Sequence, residues 1–266
     1  MGTLFVGTSG YSYDDWKGSF YPEYLDKKDY LGYYNSIFNT VEINFTYYRL
    51  PNPYMFKNIL KKVKGNFVFS IKSYSSMTHT RDYKQEDVKK FSDSLKPLIE
   101  EGRLGCVLFQ FPWSFKFNKN NLNYLDKIRN NFTDYNLCVE FRHISWLNEE
   151  TFKYLENSAI SFCNVDEPQL KGLLPPTSIS TSKTGYIRFH GRNDLNWWNH
   201  KYAYQRYDYL YSQDELAEWI PRIKKIEGRT EKTYIYFNNH YRAKAIKSAK
   251  ILTELLKDNY TGTSQN

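Results

Sequence analysis

The chain has 266 residues, of which 41% are hydrophobic and 18% aromatic, including 25 tyrosines and 18 phenylalanines. Lys and Arg number 37 against 29 Asp and Glu, giving a formal net charge of +8. This apolar content is enough for a real core, and the length suits one large α/β barrel or two small domains. No apolar run is long enough to span a membrane, which excludes a membrane-spanning helix. The basic excess either favours an anionic partner or reflects a Lys-rich solvated surface.

The three cysteines are Cys106, Cys138 and Cys163, and each lies inside an apolar run. An odd number of buried cysteines argues against a disulfide framework, and no pair has the spacing of a metal site. The first residues lack the charged and apolar regions of a secretory signal. The sequence therefore predicts a protein of the reducing cytoplasm that does not associate with membranes.

Strand and helix patterns alternate along most of the chain. In chain order the predicted elements are strand Leu4–Thr8, helix Lys28–Phe38, strand Thr40–Asn44, helix Asn52–Val63, strand Phe67–Lys72, helix Gln85–Glu101, strand Leu104–Phe111, helix Leu122–Phe132, strand Leu137–Arg142, helix Asn148–Asn157, strand Ile160–Val165, strand Tyr186–His190, helix Asp214–Ile226, strand Thr233–Phe237 and helix Ala243–Leu256. Ser212 is the candidate cap of helix Asp214–Ile226, and Pro221 is expected to kink it. Pro168–Lys183 shows no full helix, and Gly191–Tyr211 is a long aromatic loop.

Eight strands connected mostly by helices must run in parallel, since antiparallel neighbours need only tight turns. The sequence therefore predicts a TIM (β/α)8 barrel in which the helix after strand six is short or missing. Residues 1–258 are expected to form this one domain, and residues 259–266 a disordered tail. A doubly wound open sheet is disfavoured, because Gly7–Gly10 is only a bare G-x-x-G.

Polar residues recur where these strands end, and in TIM barrels the active site gathers at the carboxyl ends of the strands. Glu140 and Arg142 lie two residues apart on one strand and are expected to point to the same face. The predicted catalytic residues are Glu42, Glu140 and His190. The predicted substrate-binding residues are Lys72, Gln110, Arg142, His143, Asp166, Arg188, Asn238 and Asn239.

Several of these residues have a structural alternative. Glu42 and Glu140 are also suited to ion pairs with Lys72 and Arg142 inside the barrel. Asn238 and Asn239 are also suited to capping the last helix.

A divalent cation is a candidate cofactor. Four of the predicted site residues carry suitable ligand atoms: Glu42, Glu140, Asp166 and His190. No spacing such as H-E-x-x-H selects a metal. The sequence therefore assigns no metal ligand and leaves the cofactor unidentified.

The aromatic loop interleaves tryptophan and tyrosine with cationic residues from Trp197 to Tyr211. Aromatic rings stack on bases or sugars and cations hold phosphates, so the loop suggests a nucleic-acid-binding surface. The other interpretation is an ordered lid over the barrel mouth.

The chain resembles the YecE-like family, a domain of unknown function (number seventy-two) with a TIM-barrel fold. The stretches that carry the resemblance are Gly7–Pro22, Phe38–Asn44, Tyr48–Pro51, Phe67–Lys72, Thr78–His79, Leu108–Pro112, Val139–Trp146, Pro175–Thr177, Tyr186–Gly191 and Tyr236–Asn239. The chain departs from the family pattern at Asn44–Thr46 and Phe109–Phe111, and neither departure changes a polar site residue. The resemblance implies the barrel and the set of polar strand ends, but it supplies no reaction.

The resulting hypothesis is an enzyme, a hydrolase, isomerase or lyase, acting on a small anionic substrate that bears phosphate or carboxylate. Carboxylates would provide acid/base catalysis, and Arg and Lys would bind the anion. On this hypothesis Glu140→Gln leaves the fold intact and abolishes activity or ligand binding. The alternative is a nucleic-acid-binding module or a metal-dependent nuclease or isomerase that uses the aromatic loop. The sequence does not indicate an oligomeric state.

Overall fold

A computed structural model describes residues 2–261, with side chains described for residues 2–259. Eight parallel strands are hydrogen-bonded in the order β1-β8-β7-β6-β5-β4-β3-β2. The strands are β1 (Thr3–Thr8), β2 (Thr40–Ile43), β3 (Val68–Lys72), β4 (Leu104–Gln110), β5 (Leu137–Glu140), β6 (Ile160–Asp166), β7 (Thr184–Phe189) and β8 (Lys232–Phe237). They form a nearly closed barrel surrounded by helices, which confirms the predicted TIM-type α/β fold.

The helices occupy most of the connections between strands. They are α1 (Tyr30–Asn35), α2 (Phe45–Tyr48), α3 (Pro53–Leu60), α4 (Gln85–Glu100), α5 (Lys119–Asn131), α6 (Glu149–Asn157), α7 (Ala203–Arg206), α8 (Gln213–Ala217), α9 (Ile220–Glu227) and α10 (Lys244–Thr261). Asparagine caps begin three of them, because the side chains of Asn52, Asn118 and Asn148 each accept a hydrogen bond from a backbone N–H in the first turn. None of the helices in the described chain combines the length and apolar composition that a membrane span needs.

The connection from β6 to β7 contains no helix in residues 167–183, as predicted. The predicted helix Asp214–Ile226 is instead two helices, α8 and α9, with Glu218 and the buried Trp219 between them. Ser212 caps α8 in a capping box with Glu215. Pro221 has no N–H to donate to the carbonyl of Ala217, and the helix is interrupted shortly before it, as the expected kink at Pro221 implies.

The end of the chain differs from the prediction. Helix α10 continues to Thr261, which is three residues into the segment predicted to be a disordered tail. Residues 262–266 of that segment lie outside the described residues. The assignment of residues 1–258 to a single domain stays a prediction.

The strands are covered on both faces. Every residue of β5, β6 and β7 is buried, which explains why the sequence shows near-continuous apolar runs there. The three cysteines lie in three consecutive strands, β4, β5 and β6, and all are buried and unpaired.

An aromatic stack fixes the ends of β4 and β5. The rings of Phe141 and Trp146 are stacked with centroids 4.0 Å apart, and those of Phe111 and Phe115 likewise 4.0 Å apart. The Trp146 indole also donates a 2.6 Å hydrogen bond to the carbonyl of Phe115. Phe111 follows Gln110, and Phe141 precedes Arg142, so the stack anchors the backbone that carries both polar side chains.

The barrel closes between β1 and β2 through few backbone contacts. Ser9 forms a parallel bridge with Glu42, and the N–H of Gly10 donates to the Glu42 carbonyl at 2.7 Å. Above this bridge the buried hydroxyl of Tyr34 accepts from the Thr8 N–H at 2.9 Å and lies 3.1 Å from the Thr40 carbonyl. The hydroxyl of Tyr34 on α1 therefore replaces a strand-to-strand hydrogen bond between β1 and β2. We call this junction of β1 and β2 the seam.

We expect Tyr34→Phe to lower the free energy of unfolding by about 1–3 kcal/mol, because the Thr8 N–H is left buried without an acceptor. Urea unfolding followed by circular dichroism measures the effect. Tyr24→Phe is the matched control, since Tyr24 is 86% exposed. A Tyr34→Phe variant within about 0.5 kcal/mol of the wild type would show that the hydroxyl does not hold the seam.

Candidate functional site

Alternation along the strands decides which polar side chains reach the barrel interior, since successive side chains point to opposite faces. On β7 and just beyond it, Tyr186, Arg188 and His190 share the inward face. On β5 and just beyond it, Glu140 and Arg142 share the inward face, as their spacing predicts, and their side chains contact each other. Polar residues of opposite parity point outward, toward the surrounding helices and loops.

Arg188 is the centre of the inward cluster and is almost completely buried. Its Nη2 lies 2.7 Å from Oε1 of Glu42, and its Nη1 lies 2.6 Å from Oε2 of Glu140. Tyr186 donates a 2.8 Å hydrogen bond to the other oxygen of Glu42. Burial disfavours the charge on Arg188, but Glu140 and Glu42 outweigh it and hold its pKa well above the usual range. The two predicted catalytic carboxylates therefore converge on one guanidinium group.

Arg142 is the second buried cation. Its Nε lies 2.5 Å from Oε1 of Glu140, and its Nη1 donates a 3.0 Å hydrogen bond to Oε2 of Glu167. Burial opposes ionisation of Glu140, but Arg142 and Arg188 outweigh it and hold the pKa of Glu140 well below its usual range. The remaining nitrogen of Arg142, Nη2, has no hydrogen-bond partner among residues 2–259.

Lys72 lies at the end of β3 and is only partly buried. Its Nζ donates a 2.9 Å hydrogen bond to Oε1 of Gln110 and lies 4.3 Å from the ring centroid of Tyr47. The Gln110 amide is oriented by its own 2.7 Å hydrogen bond to the Phe111 carbonyl. Burial, followed by repulsion from Arg188, lowers the pKa of Lys72 to about 7. The amine therefore changes protonation state near neutral pH.

His190 is completely buried beside Glu140, with Nε2 3.3 Å from Oε1 of the carboxylate. Its Nδ1 lies 3.2 Å from the amide nitrogen of Asn238, which places the ring proton on Nε2 facing Glu140. Burial, with repulsion from Arg142, lowers the pKa of His190 to about 3. The imidazole is therefore neutral at physiological pH, and a pKa this low does not suit acid/base catalysis by His190, one of the predicted catalytic residues.

Glu167 was not among the predicted site residues. It lies one position beyond β6, and its Oε1 accepts a 3.1 Å hydrogen bond from the Leu174 N–H. Burial raises the pKa of Glu167 to about 7, although Arg142 opposes the shift. Counting by two from the inward-facing Cys163 through Val165 reaches Glu167, so strand parity was the signal that could have found it.

Asp166, which the sequence assigned to substrate binding, points to the opposite face from Glu167. Its carboxylate accepts from the Tyr211 hydroxyl at 2.6 Å, from the Trp219 indole at 2.7 Å and from Arg192 Nη2 at 2.8 Å. These contacts fasten the loop after β7 and the start of α9 to β6. Asp166 therefore holds neighbouring elements together outside the cluster. Its place at the end of β6 did not by itself show which face of the strand its side chain occupies.

Asn239 and His143 also lie away from the cluster. The Asn239 amide donates to the Tyr209 carbonyl at 2.8 Å, because Asn239 has the parity opposite to Asn238. Nδ1 of His143 accepts a 3.1 Å hydrogen bond from the Ser145 N–H and so caps the 3-10 turn Ile144–Trp146. Neither side chain lines the cavity described below.

The set considered for a divalent cation is not brought together, since Asp166 faces outward while Glu42, Glu140 and His190 face inward. The inward carboxylates are already bound to guanidinium groups. Within the part of the chain that the structure describes, no group of three or more His, Cys, Asp and Glu side chains has an arrangement that could hold a metal ion.

A cavity of about 480 Å³ opens above the cluster at the carboxyl ends of the strands. Its lining includes three cations, Lys72, Arg142 and Arg188, and the amides of Gln110 and Asn238. Aromatic walls, which the sequence did not assign to the site, come from Tyr11, Tyr13, Tyr47, Tyr48, Tyr207 and His240. Among the described residues, no Asp or Glu lines this cavity.

Three polar atoms at the cavity also lack a partner among the described residues. They are Oδ1 of Asn44, Nδ1 of His240 and Nε of the cavity-lining Arg188, all inaccessible to solvent. Unsatisfied buried polar atoms are rare, and a bound ligand that hydrogen-bonds to them would remove the cost. A larger cavity of about 920 Å³ lies at the other end of the barrel beside Leu4 and Phe67, far from these groups.

The loop from Gly191 to Tyr211 is ordered over the barrel mouth. Trp197 is almost completely buried, its carbonyl accepts a 2.8 Å hydrogen bond from Arg206 Nε, and Arg142 lies 5.9 Å from its ring centroid. Tyr207 reaches the cavity wall. These contacts favour the lid interpretation of the loop.

Comparison with known proteins supports one assignment. A family model described as "Protein of unknown function DUF72" matches residues 5–266. The chain belongs to this family. Its relatives include the UPF0759 protein YunF of Bacillus subtilis, which is 30% identical over 275 residues covering 97% of this chain and 96% of YunF.

Crystal structures of DUF72 family proteins show the same barrel. One from Thermotoga maritima is 42% identical, with a TM-score of 0.88 over 96% of this chain and 99% of that chain. Another, from Enterococcus faecalis, is 26% identical, with a TM-score of 0.85 over 96% of each chain. The DUF72 assignment confirms the resemblance seen in the sequence and, as that resemblance implied, supplies no reaction.

We expect Glu140→Gln to lower the free energy of unfolding by about 3–5 kcal/mol, because two buried guanidinium groups lose their shared carboxylate. This expectation replaces the sequence-based one of an intact fold. The depressed pKa of Glu140 means that its contribution is present above about pH 4 and is lost as the pH falls further. The difference in the free energy of unfolding between the wild type and Glu140→Gln, measured by urea unfolding, should therefore be smaller at pH 3 than at pH 7.

Glu156→Gln is the control for this measurement, since Glu156 is exposed on α6. A Glu140→Gln variant as stable as the control variant would mean that the guanidinium groups do not need this carboxylate.

Proposed function

We propose that the protein is an enzyme that binds a small phosphate- or carboxylate-bearing substrate at the barrel mouth and moves a proton with Lys72. One observation carries this proposal. The cavity wall includes Lys72 and Arg142, whose Nη2 has no hydrogen-bond partner among residues 2–259, while Glu42 and Glu140 do not line the cavity and are bound to guanidinium groups. Such a wall attracts an anion and repels no part of it.

The guanidinium groups of Arg142 and Arg188 are offset by Glu42 and Glu140. Glu167, whose pKa burial raises to about 7, adds a partial negative charge beside Arg142. Glu42 and Glu140 are then positioning residues that hold the guanidinium groups, in place of the acid/base pair inferred from the sequence. An anion that enters the cavity is compensated by protonation of Lys72, because the amine is poised near neutrality.

The reaction that this arrangement supports is proton transfer. In those complexes in which Lys72 has returned its proton to solvent, the neutral amine accepts a proton from an acidic carbon or oxygen of the bound anion, and Arg142 stabilises the negative charge that develops. Gln110 and Asn238 orient the substrate from the two sides of the cavity. Isomerases and lyases use such chemistry, and a hydrolase would need Lys72 to activate a water molecule.

The position of the cysteines supports a reducing compartment. Cys106, Cys138 and Cys163 are all unpaired and buried, and free buried thiols are the usual form of cysteine in the cytoplasm. We therefore place the protein there.

Binding of inorganic phosphate tests the anion site. We expect calorimetric titration at pH 7.5 to show binding with uptake of protons, because the bound anion raises the pKa of Lys72. Affinity should fall as the pH rises above about 7, since the amine then loses its proton. Lys72→Met should weaken binding by roughly tenfold or more and abolish the proton uptake.

Lys153→Met is the control, because Lys153 is exposed on α6. Phosphate binding in the wild type that is unchanged by Lys72→Met would remove Lys72 from the site.

Solvent exchange tests the proton transfer. A panel of small carboxylates and phosphate monoesters is incubated with the protein in deuterium oxide and followed by proton NMR. We expect one class to lose a C–H signal or to be converted, at a rate that rises with pH and levels off only above the pKa of Lys72 in the complex, which the bound anion raises above about 7. Exchange that persists in Lys72→Met would contradict the assignment of Lys72 as the base.

A further inference from the structure

A second cavity, of about 510 Å³, adjoins the first at the barrel mouth. The two cavities share Lys72, Gln110, Arg142 and Tyr207, so a single ligand can reach both. The wall that belongs only to the second cavity contains Trp113, Trp197, Trp198, Arg206 and His79.

The tryptophans come from different parts of the fold and meet here. Trp113 follows β4 and Trp198 follows β7, and their rings lie edge to face with centroids 5.8 Å apart. They are 37% and 51% exposed, respectively, which is unusual for side chains of this size. Both tryptophans therefore line the cavity while part of each side chain stays exposed to solvent.

Arg206 completes the wall. Its guanidinium carbon lies 5.3 Å from the ring centroid of Trp197 and 5.9 Å from that of Trp198. The hydrogen bond from its Nε to the Trp197 carbonyl holds the group in place. Burial and repulsion from Lys72 lower the pKa of His79 to about 4, so this side chain is neutral at physiological pH.

The chemistry of this wall selects among ligands. Its lining combines indole rings with the cations Lys72, Arg142 and Arg206, and among the described residues it contains no Asp or Glu. A neutral sugar would need acceptors for its hydroxyl groups, which carboxylates commonly supply. A planar aromatic ring needs only flat faces and a nearby cation, both of which are present here.

We propose that the second cavity binds the aromatic ring of the substrate whose anionic group is held by Lys72 and Arg142. This inference rests on the proposed function of the first cavity and narrows its substrate class to aryl-bearing anions. The shared lining residues require only a short connection between the ring and the anionic group.

Three phosphate monoesters of similar charge test the proposal by calorimetric titration: methyl, cyclohexyl and phenyl phosphate. We expect phenyl phosphate to bind the wild type about tenfold or more tighter than methyl phosphate, since stacking on an aromatic side chain has about this effect. The affinity for cyclohexyl phosphate should be well below the affinity for phenyl phosphate, because the cyclohexyl group is not a planar ring. Equal affinities for phenyl and cyclohexyl phosphate would overturn the aromatic assignment.

The variant Trp198→Ala should reduce the affinity for phenyl phosphate to that for methyl phosphate and leave methyl phosphate binding unchanged. Tyr54→Ala, which removes a 75% exposed ring elsewhere, should change neither affinity. If Trp198→Ala does not fold, as judged by circular dichroism, Trp113→Ala provides the same comparison. A preference for phenyl phosphate that survives loss of the tryptophan would overturn the proposal.

The outcomes for the two cavities are distinguishable. Methyl phosphate binding without a preference for phenyl phosphate contradicts only the aromatic subsite. Failure of all three esters to bind would overturn both the subsite and the anion site on which it rests.

Discussion

Glu140 lies between two buried guanidinium groups, and the rest of the site depends on this contact. Each carboxylate in the barrel is matched to a cation, in the order Glu42, Arg188, Glu140, Arg142 and Glu167. Charges buried without such partners would cost several kcal/mol each. The chain of contacts links β2, β7, β5 and the end of β6, so it also fixes how these strands face one another. The geometry of the candidate site and the packing of the barrel therefore have the same cause.

This pairing also explains the character of the barrel mouth. Because the carboxylates are bound beneath the cavity, the lining of the two cavities contains cationic, amide and aromatic side chains and, among the described residues, no Asp or Glu. Lys72 is excluded from the pairing, since its hydrogen-bond acceptor is the neutral amide of Gln110. An amine that lies near two guanidinium groups and has no carboxylate partner loses its proton easily. A lowered amine pKa of this kind suits acid/base chemistry.

The barrel could be predicted from the sequence because both its apolar runs and their spacing repeat along the chain. The strand ends that carry Glu42, Lys72, Gln110, Glu140, Arg142, Arg188 and Asn238 could be predicted for the same reason, and the structure brings them together. The sequence-based prediction placed Asp166 and Asn239 in the site and omitted Glu167. The reason is that a polar residue at a strand end points into the barrel only if its position along the strand has the inward parity. The neutral state of His190 and the poised state of Lys72 arise from burial and from charges on other strands, which no local pattern encodes.

The three thiols of β4, β5 and β6 lie across the barrel from the seam between β1 and β2, on the strands next to Glu140. Burial raises the pKa of Cys163 to about 11, and its Sγ lies 3.8 Å from Oε2 of Glu140. A thiol reagent reaches this group only when that half of the sheet opens. The rate at which a thiol reagent modifies these cysteines therefore measures local opening of β4, β5 and β6. This opening is distinct from local opening at the seam between β1 and β2.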